Sequence, residues 1–428
     1  MPKQNIVCLA VDRLRAAALG AYGNTWFETR ALDSLASESF VFDHYLIDSP
    51  QLPQLYRSYW QGRHALEADP TEGGGRSGID VLRESGWTTA LVTDEPAVAR
   101  LPLAESFEEC LVVTPDSGDS PVADAIEQTQ TARLFAEVAT WIDTVGKDAA
   151  GKSDENQPFL LWVHARGMDG AWDAPVELRN SLVEEDEPAP PQDAHVPRER
   201  LDENYDPDQL HGAACAHAGQ VMALDVCVGA LMDLLRECSL LENTLVVLLG
   251  VRGFPLGEHG RLGDVDAALH AELVHVPLLV RMPDGCGAMG RSQALIQPPD
   301  LLATLFDWLR IKNGQPSHFA QSMLPLVRGE RDILRDHVAI LGDGAERALR
   351  TPAWHLRQSG SDDSHLSPEG CELFVKPDDR WEQNEVSSRC ADISERLAEV
   401  LQQFEHLSQA DQLGNLPPLD EILLRGFG

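Results

Sequence analysis

The chain has 428 residues, of which 43% are hydrophobic. This is enough for one large α/β domain with a small appendage, or for two to three ordinary domains. Asp and Glu number 69 against 34 Lys and Arg, a net charge of −35, which argues against nucleic acid or an anionic membrane as the main partner, since both need a basic face.

Apolar runs typical of buried strands alternate with helical patterns along most of the chain. The first run ends at Asp12, and further runs follow at intervals that leave room for helices. This alternation predicts an α/β fold with a central, largely parallel sheet and helices on both faces. Strands are predicted at residues 6–11, 40–47, 88–93, 159–164, 245–249 and 277–281, and helices at 32–38, 81–85, 123–145, 221–235 and 301–309.

The pattern changes near residue 338, where short extended segments replace the strand–helix alternation. We expect a small C-terminal antiparallel sheet closed by a helix, and therefore two domains, 1–337 and 338–428. This part is predicted to contain an extended segment at 353–357, a polar loop at 359–364, a strand at 371–376 and a helix at 393–407. Loops are also predicted at 66–78, 146–157 and the acidic, proline-rich 184–191.

The cysteines and the hydropathy pattern indicate a cytoplasmic location. Eight cysteines are scattered without any CxxC pair, so we expect reduced, mostly buried thiols. Continuous apolar runs stay below the ~18 residues of a membrane span. The N-terminal run is short and ends in Asp12, which favours a core strand over a signal peptide.

Several segments, in order along the chain, resemble the sulfatase family of the alkaline-phosphatase-like superfamily. They include LGAYGN at 19–24, Glu242–Asn243–Thr244, GEHG at 257–260, and ELF at 372–374. Each segment is weak alone, but the order and spacing are specific, and the similarity covers nearly the whole chain. The resemblance implies a nucleophile, a divalent cation held by oxygen ligands, and cationic groups that bind sulfate.

The nucleophile that the resemblance implies is missing. The family's Cys/Ser-x-Pro-x-Arg motif aligns with Leu52, with Gln54 and Tyr56 at the proline and arginine positions. An aliphatic side chain has no lone pair for attack. A shifted alignment would offer Ser49 or Ser58 instead, although neither lies in such a motif.

Of the expected cation ligands only Asp12 remains, the acidic residue at which the first apolar run ends. The late acidic motif of the family falls on Val251–Arg252–Gly253, where valine cannot ligate and a guanidinium repels a cation. The family's anion-binding positions correspond to Asp94, Asp169 and Asp264, whose carboxylates would repel a sulfate.

Two arginines offer a compensation for the lost cation. Arg13 and Arg252 are expected to flank Asp12 and to form bidentate pairs with nearby carboxylates. The alternative is that both point to solvent. His164 and Arg166, at the end of the strand predicted at 159–164, complete the predicted binding residues of this cleft.

These observations favour a sulfatase-like pseudoenzyme with a binding or regulatory role. No cofactor is expected, and the partner is an unidentified protein or small molecule. The alternative is a superfamily hydrolase of sulfate or phosphate esters with weak or altered activity, which would use Ca²⁺ or Mg²⁺. A histidine metal site is a weaker possibility, because His211 and His217 do not share a helical face as i, i+4 residues would.

Overall fold

The computed structural model describes residues 4–69, 75–115, 121–151, 157–263, 268–314, 316–359 and 370–426; side chains are described to residue 145 and again from 157. These residues form two compact units. Unit 1 comprises residues 1–41, 82–265 and 277–291, and unit 2 comprises 42–81, 266–276 and 292–428. Each unit draws on several segments of the chain. The predicted division after residue 337 stays a prediction.

The strands in chain order are β1 Asn5–Val11, β2 Phe40–Tyr45, β3 Thr88–Thr93, β4 Glu109–Val112, β5 Phe159–Ala165, β6 Glu199–Arg200, β7 Thr244–Gly250, β8 Arg261–Leu262, β9 Leu278–Arg281, β10 Arg291–Ile296, β11 Val338–Leu341, β12 Arg347–Arg350, β13 Trp354–Gln358 and β14 Cys371–Val375. The helices are α1 Arg30–Ser37, α2 Leu52–Gln61, α3 Gly78–Glu84, α4 Pro96–Ala99, α5 Gln130–Gly151, α6 Val176–Asn180, α7 Pro207–Glu237, α8 Ala271–Val274, α9 Pro299–Leu309, α10 Leu324–Val327, α11 Ala391–Gln409 and α12 Glu421–Arg425.

A mostly parallel sheet forms the core of unit 1, with the strand order β9-β7-β1-β5-β3-β4. All pairs except β7–β9 are parallel. Every residue of β1, β5 and β7 is buried, as expected for parallel strands covered on both faces. β2 begins in unit 1, where Phe40 and Val41 pair antiparallel with β9, and ends in unit 2 beside β10. The predicted fold class is confirmed.

Helix α7 is the longest helix of unit 1 among the residues described, and it packs against α1, α5 and α6. It is long and apolar enough to cross a membrane by length and composition, and 67% of its most apolar window is buried inside the protein. A buried core helix passes the same test, so this finding carries little weight for a membrane location.

In unit 2, β11 to β14 form an antiparallel sheet in sequential order. Helix α11 packs on β12 and β13. It contributes Ile393, Leu397, Leu401 and Phe404 to the core beneath the sheet. The predicted small sheet with a closing helix is therefore present. The loop predicted at 359–364 lies outside the described residues except for Ser359.

Several predicted boundaries were wrong. The helix predicted at 123–145 begins only at Gln130, because the Thr129 hydroxyl accepts the Ala132 N–H and Asp173 accepts the Gln130 N–H at 2.6 Å. It continues to Gly151, so residues 146–151 are helix rather than the predicted loop. The helix predicted at 221–235 begins already at Pro207, where the Asp206 carboxylate caps it.

Two further predictions of secondary structure were wrong, one about α2 and β10 and one about the start of α3. α2 and β10 lie where no regular element was predicted. α3 begins at Gly78 rather than residue 81, because Ser77 and Asp80 form a reciprocal capping pair, with the Asp80 N–H donating to the Ser77 hydroxyl at 3.2 Å and the Ser77 N–H to the Asp80 carboxylate at 2.9 Å.

Candidate functional site

The site lies where four neighbouring parallel strands of unit 1 end. β7, β1, β5 and β3 are adjacent and in register, with Val11 opposite both Ala165 and Gly250. The residues that follow these strands therefore emerge at one edge of the sheet, which is where ligands bind in open α/β sheets. Asp12 follows β1 and Arg252 comes shortly after β7.

Arg252 and Asp12 form a bidentate ion pair. The Arg252 Nε donates to Asp12 Oδ1 at 2.9 Å, and Nη2 donates to Asp12 Oδ2. The Asp12 side chain is 2% exposed and the Arg252 side chain is 12% exposed. Burial raises the pKa of Asp12, but the charge and hydrogen bonds of Arg252, with the charge of Arg13, outweigh it and bring the pKa to about 2. Asp12 is thus a permanent anion held by a guanidinium.

Arg13 is buried beside this pair and turns toward a different carboxylate. Its Nε donates to Asp169 Oδ1 at 3.3 Å and its Nη1 to the Gly253 carbonyl at 3.3 Å. The Arg13 backbone has φ 60, a left-handed conformation that non-glycine residues adopt only under constraint. Its N–H donates to Asp12 Oδ1 at 2.9 Å. The conformation therefore lets one residue contact Asp12 through its backbone and Asp169 through its side chain.

Asp169 is the meeting point of three arginines. Besides Arg13, it accepts a hydrogen bond from Arg198 Nη2 at 3.1 Å, and its other oxygen lies 3.9 Å from Arg252 Nη2. From the sequence, this acid is predicted to repel an anion. In the structure its charge is compensated by guanidinium groups, and the partner Arg198 comes from a loop that carried no motif.

A second group of charges lies at the end of β3 and β5. The Arg166 N–H donates to Asp94 Oδ1 at 2.8 Å, and the Arg166 Nε lies 3.2 Å from Glu95 Oε2. Burial raises the pKa of Asp94 to about 6, despite that hydrogen bond and the charge of Arg166. His164, inside β5, is fully buried, and its burial lowers the pKa to about 4 in spite of the Asp12 charge. His164 is therefore neutral at pH 7.

Arg15 and Glu258 form a further ion pair near the GEHG segment. Arg15 Nη2 contacts Glu258 Oε1, and Arg15 Nη1 donates to the Phe254 carbonyl at 3.1 Å. Burial raises the pKa of Glu258, but Arg15 more than offsets this and the pKa falls below its usual value. Among the residues that the structure describes, the ion pairs and hydrogen bonds of this cleft join five cations, Arg13, Arg15, Arg166, Arg198 and Arg252, with five acids, Asp12, Asp94, Glu95, Asp169 and Glu258.

Backbone hydrogen bonds and a close backbone approach at Gly167 connect the loops of the site. The Asp12 carbonyl accepts the Met168 N–H at 3.1 Å, and the Asp12 N–H donates to the Ala165 carbonyl at 2.9 Å. Gly167 has φ +53, and a Cβ there would lie 2.5 Å from the Asp12 carbonyl oxygen. Only glycine fits this position, a requirement that the sequence alone did not reveal.

Seven of the predicted site residues belong to this edge of the sheet, with His164 inside β5 and the other six after the strands. Asp12, Arg13, Arg252 and Asp169 are brought into direct contact, and Asp94 and Arg166 form the adjacent pair. Leu52 is a half-buried residue that begins α2 in unit 2. Asp264 lies outside the described residues. The predicted roles of these residues in binding or chemistry stay predictions.

A divalent cation does not fit the residues around Asp12. Both carboxylate oxygens accept hydrogen bonds from the Arg252 guanidinium, and Oδ1 also accepts the Arg13 N–H. Hard cations need several free oxygen ligands, whereas the groups around Asp12 include the aliphatic Val251 and the cationic Arg13 and Arg252. The nearby Asp169 carboxylate is itself paired with Arg13 and Arg198. Within the described ranges, no group of three or more His, Cys, Asp or Glu is placed to hold a metal ion.

Comparisons with known proteins agree with this fold. A phosphonate monoester hydrolase of Agrobacterium radiobacter superposes with a TM-score of 0.72 at 15% identity, covering 95% of this chain and 96% of that one. A protein of Bacteroides fragilis gives a TM-score of 0.74 at 17% identity, covering 98% of each chain. A structure solved with its substrate D-glucosamine-2-N,6-O-disulfate gives 0.72 at 14%, covering 97% of this chain and 100% of that one.

The sulfatase family model matches residues 4–311, and the chain belongs to the sulfatase family. An N-acetylglucosamine-6-O-sulfatase of Bacteroides thetaiotaomicron is 30% identical over 110 residues, which is 26% of this chain and 19% of that protein. The match thus spans about a fifth of the relative's length.

Proposed function

We propose that this sulfatase-family protein is catalytically inactive and acts as a binding or regulatory protein. The observation that carries the proposal is the bidentate pair of Arg252 with Asp12. An ester-cleaving sulfatase site needs a bound cation to polarise the ester and a nucleophile to attack it. Here a guanidinium holds the carboxylate that would bind the cation, and Leu52 stands at the nucleophile position of the family motif.

The charges around the pair support the same proposal. Arg252 compensates Asp12, and Arg13 and Arg198 compensate Asp169. A carboxylate with such partners has little tendency to release them for a cation, because the exchange would leave buried guanidinium groups without counter-charges. The pairs thus give the cleft a stable arrangement that does not depend on a metal ion.

The alternative is a hydrolase of sulfate or phosphate esters with weak or altered activity. Its support is the similarity of the chain to two enzymes, a phosphonate monoester hydrolase and an N-acetylglucosamine-6-O-sulfatase. This alternative would require Asp12 to exchange Arg252 for Ca²⁺ or Mg²⁺ and to act with a further group of the chain.

Turnover assays separate the two functions. We expect purified protein to hydrolyse neither p-nitrophenyl sulfate nor a p-nitrophenyl phosphonate monoester above the buffer rate, with or without Ca²⁺, Mg²⁺ or Mn²⁺. The same ions should leave the melting temperature unchanged. The control is Asp12→Asn, since any contaminating activity would persist in it. Cation-dependent turnover that disappears in Asp12→Asn would establish the hydrolase instead.

The cysteines bear on the cellular location. All eight are free thiols, and Cys8, Cys215, Cys227 and Cys390 are buried while the other four are at least partly exposed. Exposed free thiols persist in reducing compartments. We therefore propose a cytoplasmic location, which fractionation of cells that express the full-length protein would test.

A further inference from the structure

Unit 2 contains a cavity of about 290 Å³ that is separate from the cleft at Asp12. It lies between the segment that precedes β11 and the segment that follows α11. Its volume approaches the lower end of the range for small-molecule sites. The polar part of its lining consists of His318, Gln321, Arg335, Asp336 and His337, and the apolar part of Phe319, Leu334, Leu413, Leu416, Pro417 and Pro418.

His337 lines this cavity and lacks hydrogen-bond partners. The residue is 4% exposed, and neither of its ring nitrogens contacts a donor or acceptor within the described residues. Its ring packs edge-on against Phe404, with 5.9 Å between the ring centroids. Buried polar groups are normally satisfied, so two bare nitrogens at a cavity wall point to a missing partner.

The charge of the surroundings limits what that partner can be. Burial lowers the pKa of His337 to about 4, so at pH 7 the ring is neutral and offers one donor and one acceptor. Arg335 donates through its two terminal nitrogens to both carboxylate oxygens of Asp300 and to the Phe319 carbonyl. Asp336 accepts the Leu419 N–H at 3.1 Å. An anionic ligand would meet the Asp336 carboxylate in the cavity wall, where the Arg335 guanidinium is already paired with Asp300.

We propose that this cavity binds a small neutral molecule with an apolar body and a hydroxyl group that hydrogen-bonds to His337. A hydroxyl both donates and accepts, so it suits either tautomer of the imidazole. The apolar body contacts the leucine, proline and phenylalanine walls. Neither the sulfatase fold nor the proposed function of the Asp12 cleft assigns a ligand to this position.

Titration of the full chain with p-cresol and toluene tests the proposal, because the two molecules differ only by the hydroxyl. We expect saturable binding of p-cresol, about tenfold tighter than toluene, together with a change in the ¹⁵N shifts of the His337 ring. His337→Phe keeps an aromatic ring against Phe404 but has no nitrogen. It should bind p-cresol and toluene with equal affinity.

Two results would overturn the proposal. One is an absence of saturable p-cresol binding by the wild-type chain, which would mean that water satisfies His337. The other is a preference for p-cresol that survives in His337→Phe. If that variant does not fold, Leu416→Trp provides a second test, since the larger ring at a half-buried wall position should abolish binding of both molecules. Unchanged affinities in that variant would equally contradict the proposal.

Discussion

The pair of Arg252 and Asp12 shows how one guanidinium group can compensate a buried carboxylate. A carboxylate buried to this degree is costly unless an opposite charge lies close to it. The planar guanidinium meets both oxygens at once, which a lysine could not do. The pair therefore occupies both oxygens of the Asp12 carboxylate with hydrogen bonds from a single side chain.

Replacing Arg252 with Met should destabilise unit 1 strongly. The substitution keeps the length of the side chain but leaves the Asp12 carboxylate buried without its main partner, which costs about 3 kcal/mol. Urea denaturation at pH 7 would measure the loss. Adding Asp12→Asn to the variant should recover part of it, because the unpaired charge is removed.

The matched control for this experiment is Arg30→Met. Arg30 pairs with Glu28 at the surface, where the two side chains are 85% and 72% exposed, and exposed pairs contribute about 0–1 kcal/mol. A loss for Arg252→Met no larger than that of Arg30→Met would show that the buried pair is not important for stability.

Asp48, in unit 2, predicts a pH dependence of stability opposite to the usual one for acids. It is fully buried; its Oδ2 accepts the Ser58 hydroxyl at 2.5 Å and the Ala65 N–H at 2.9 Å. Burial nevertheless raises its pKa from the usual 3.8 to about 7. The folded state thus holds a proton that the unfolded state releases, so Asp48 destabilises the fold increasingly as the pH rises from about 4 to about 7.

We therefore expect Asp48→Asn to be more stable than the wild type at pH 8, by up to roughly 4 kcal/mol. The advantage should shrink at pH 5.5, where the wild-type acid is protonated in the fold. Denaturation at the two pH values measures both. Asp233→Asn, at a side chain that is 71% exposed, should show no such pH-dependent gain. Lower stability of Asp48→Asn at pH 8 would mean that the ionised acid is favourable in place.

At the scale of elements, the loop after β5 depends on a glycine. Gly167→Ala would place a methyl group against the Asp12 carbonyl, where the distance is 2.5 Å, and should cost more than about 2 kcal/mol. Gly86→Ala is the control, since its φ is also positive at +94 but its Cβ would meet nothing within 4 Å; it should cost about 1 kcal/mol. Thermal unfolding compares the two, and equal losses would show that the contact with Asp12 is not tight.

The strands of the sheet could be predicted from sequence more accurately than the ends of the helices. β1, β3, β5 and β7 are continuous apolar runs and were placed within one residue of their observed bounds, because burial on both faces leaves a clear local signal. The start of α1 could not be predicted as closely. Asp225 of the distant α7 accepts the Ala31 and Leu32 N–H groups at 3.2 and 2.8 Å. A cap from another part of the chain leaves no local pattern.

The same distinction holds for the site. The contact of Asp12 with Arg252 could be anticipated, because both residues follow adjacent parallel strands whose ends meet. The partners of Asp169 could not, because Arg198 belongs to a loop without periodicity, and the side chain of Arg13 depends on a left-handed backbone. Loop conformations and long-range ion pairs are set by tertiary packing rather than by local sequence.

At the scale of the whole molecule, cations gather at the Asp12 cleft although acids outnumber bases by 69 to 34 in the chain. Elsewhere, uncompensated carboxylates repel one another and destabilise the compact state. Repulsion between exposed charges is screened by salt, whereas buried pairs such as Arg252 with Asp12 are screened much less. Salt should therefore act mainly on the excess negative charge.

We expect NaCl to stabilise the protein at pH 8. Raising its concentration from about 0.01 M to about 0.3 M shortens the Debye length from about 30 Å to less than 10 Å, so the melting temperature should rise by roughly 1–3 °C. Near the isoelectric point of about 4.6 the net charge vanishes and the same addition should have little effect, which serves as the internal control. A fall in melting temperature with salt at pH 8 would mean that favourable surface ion pairs outweigh the repulsion between the excess acids.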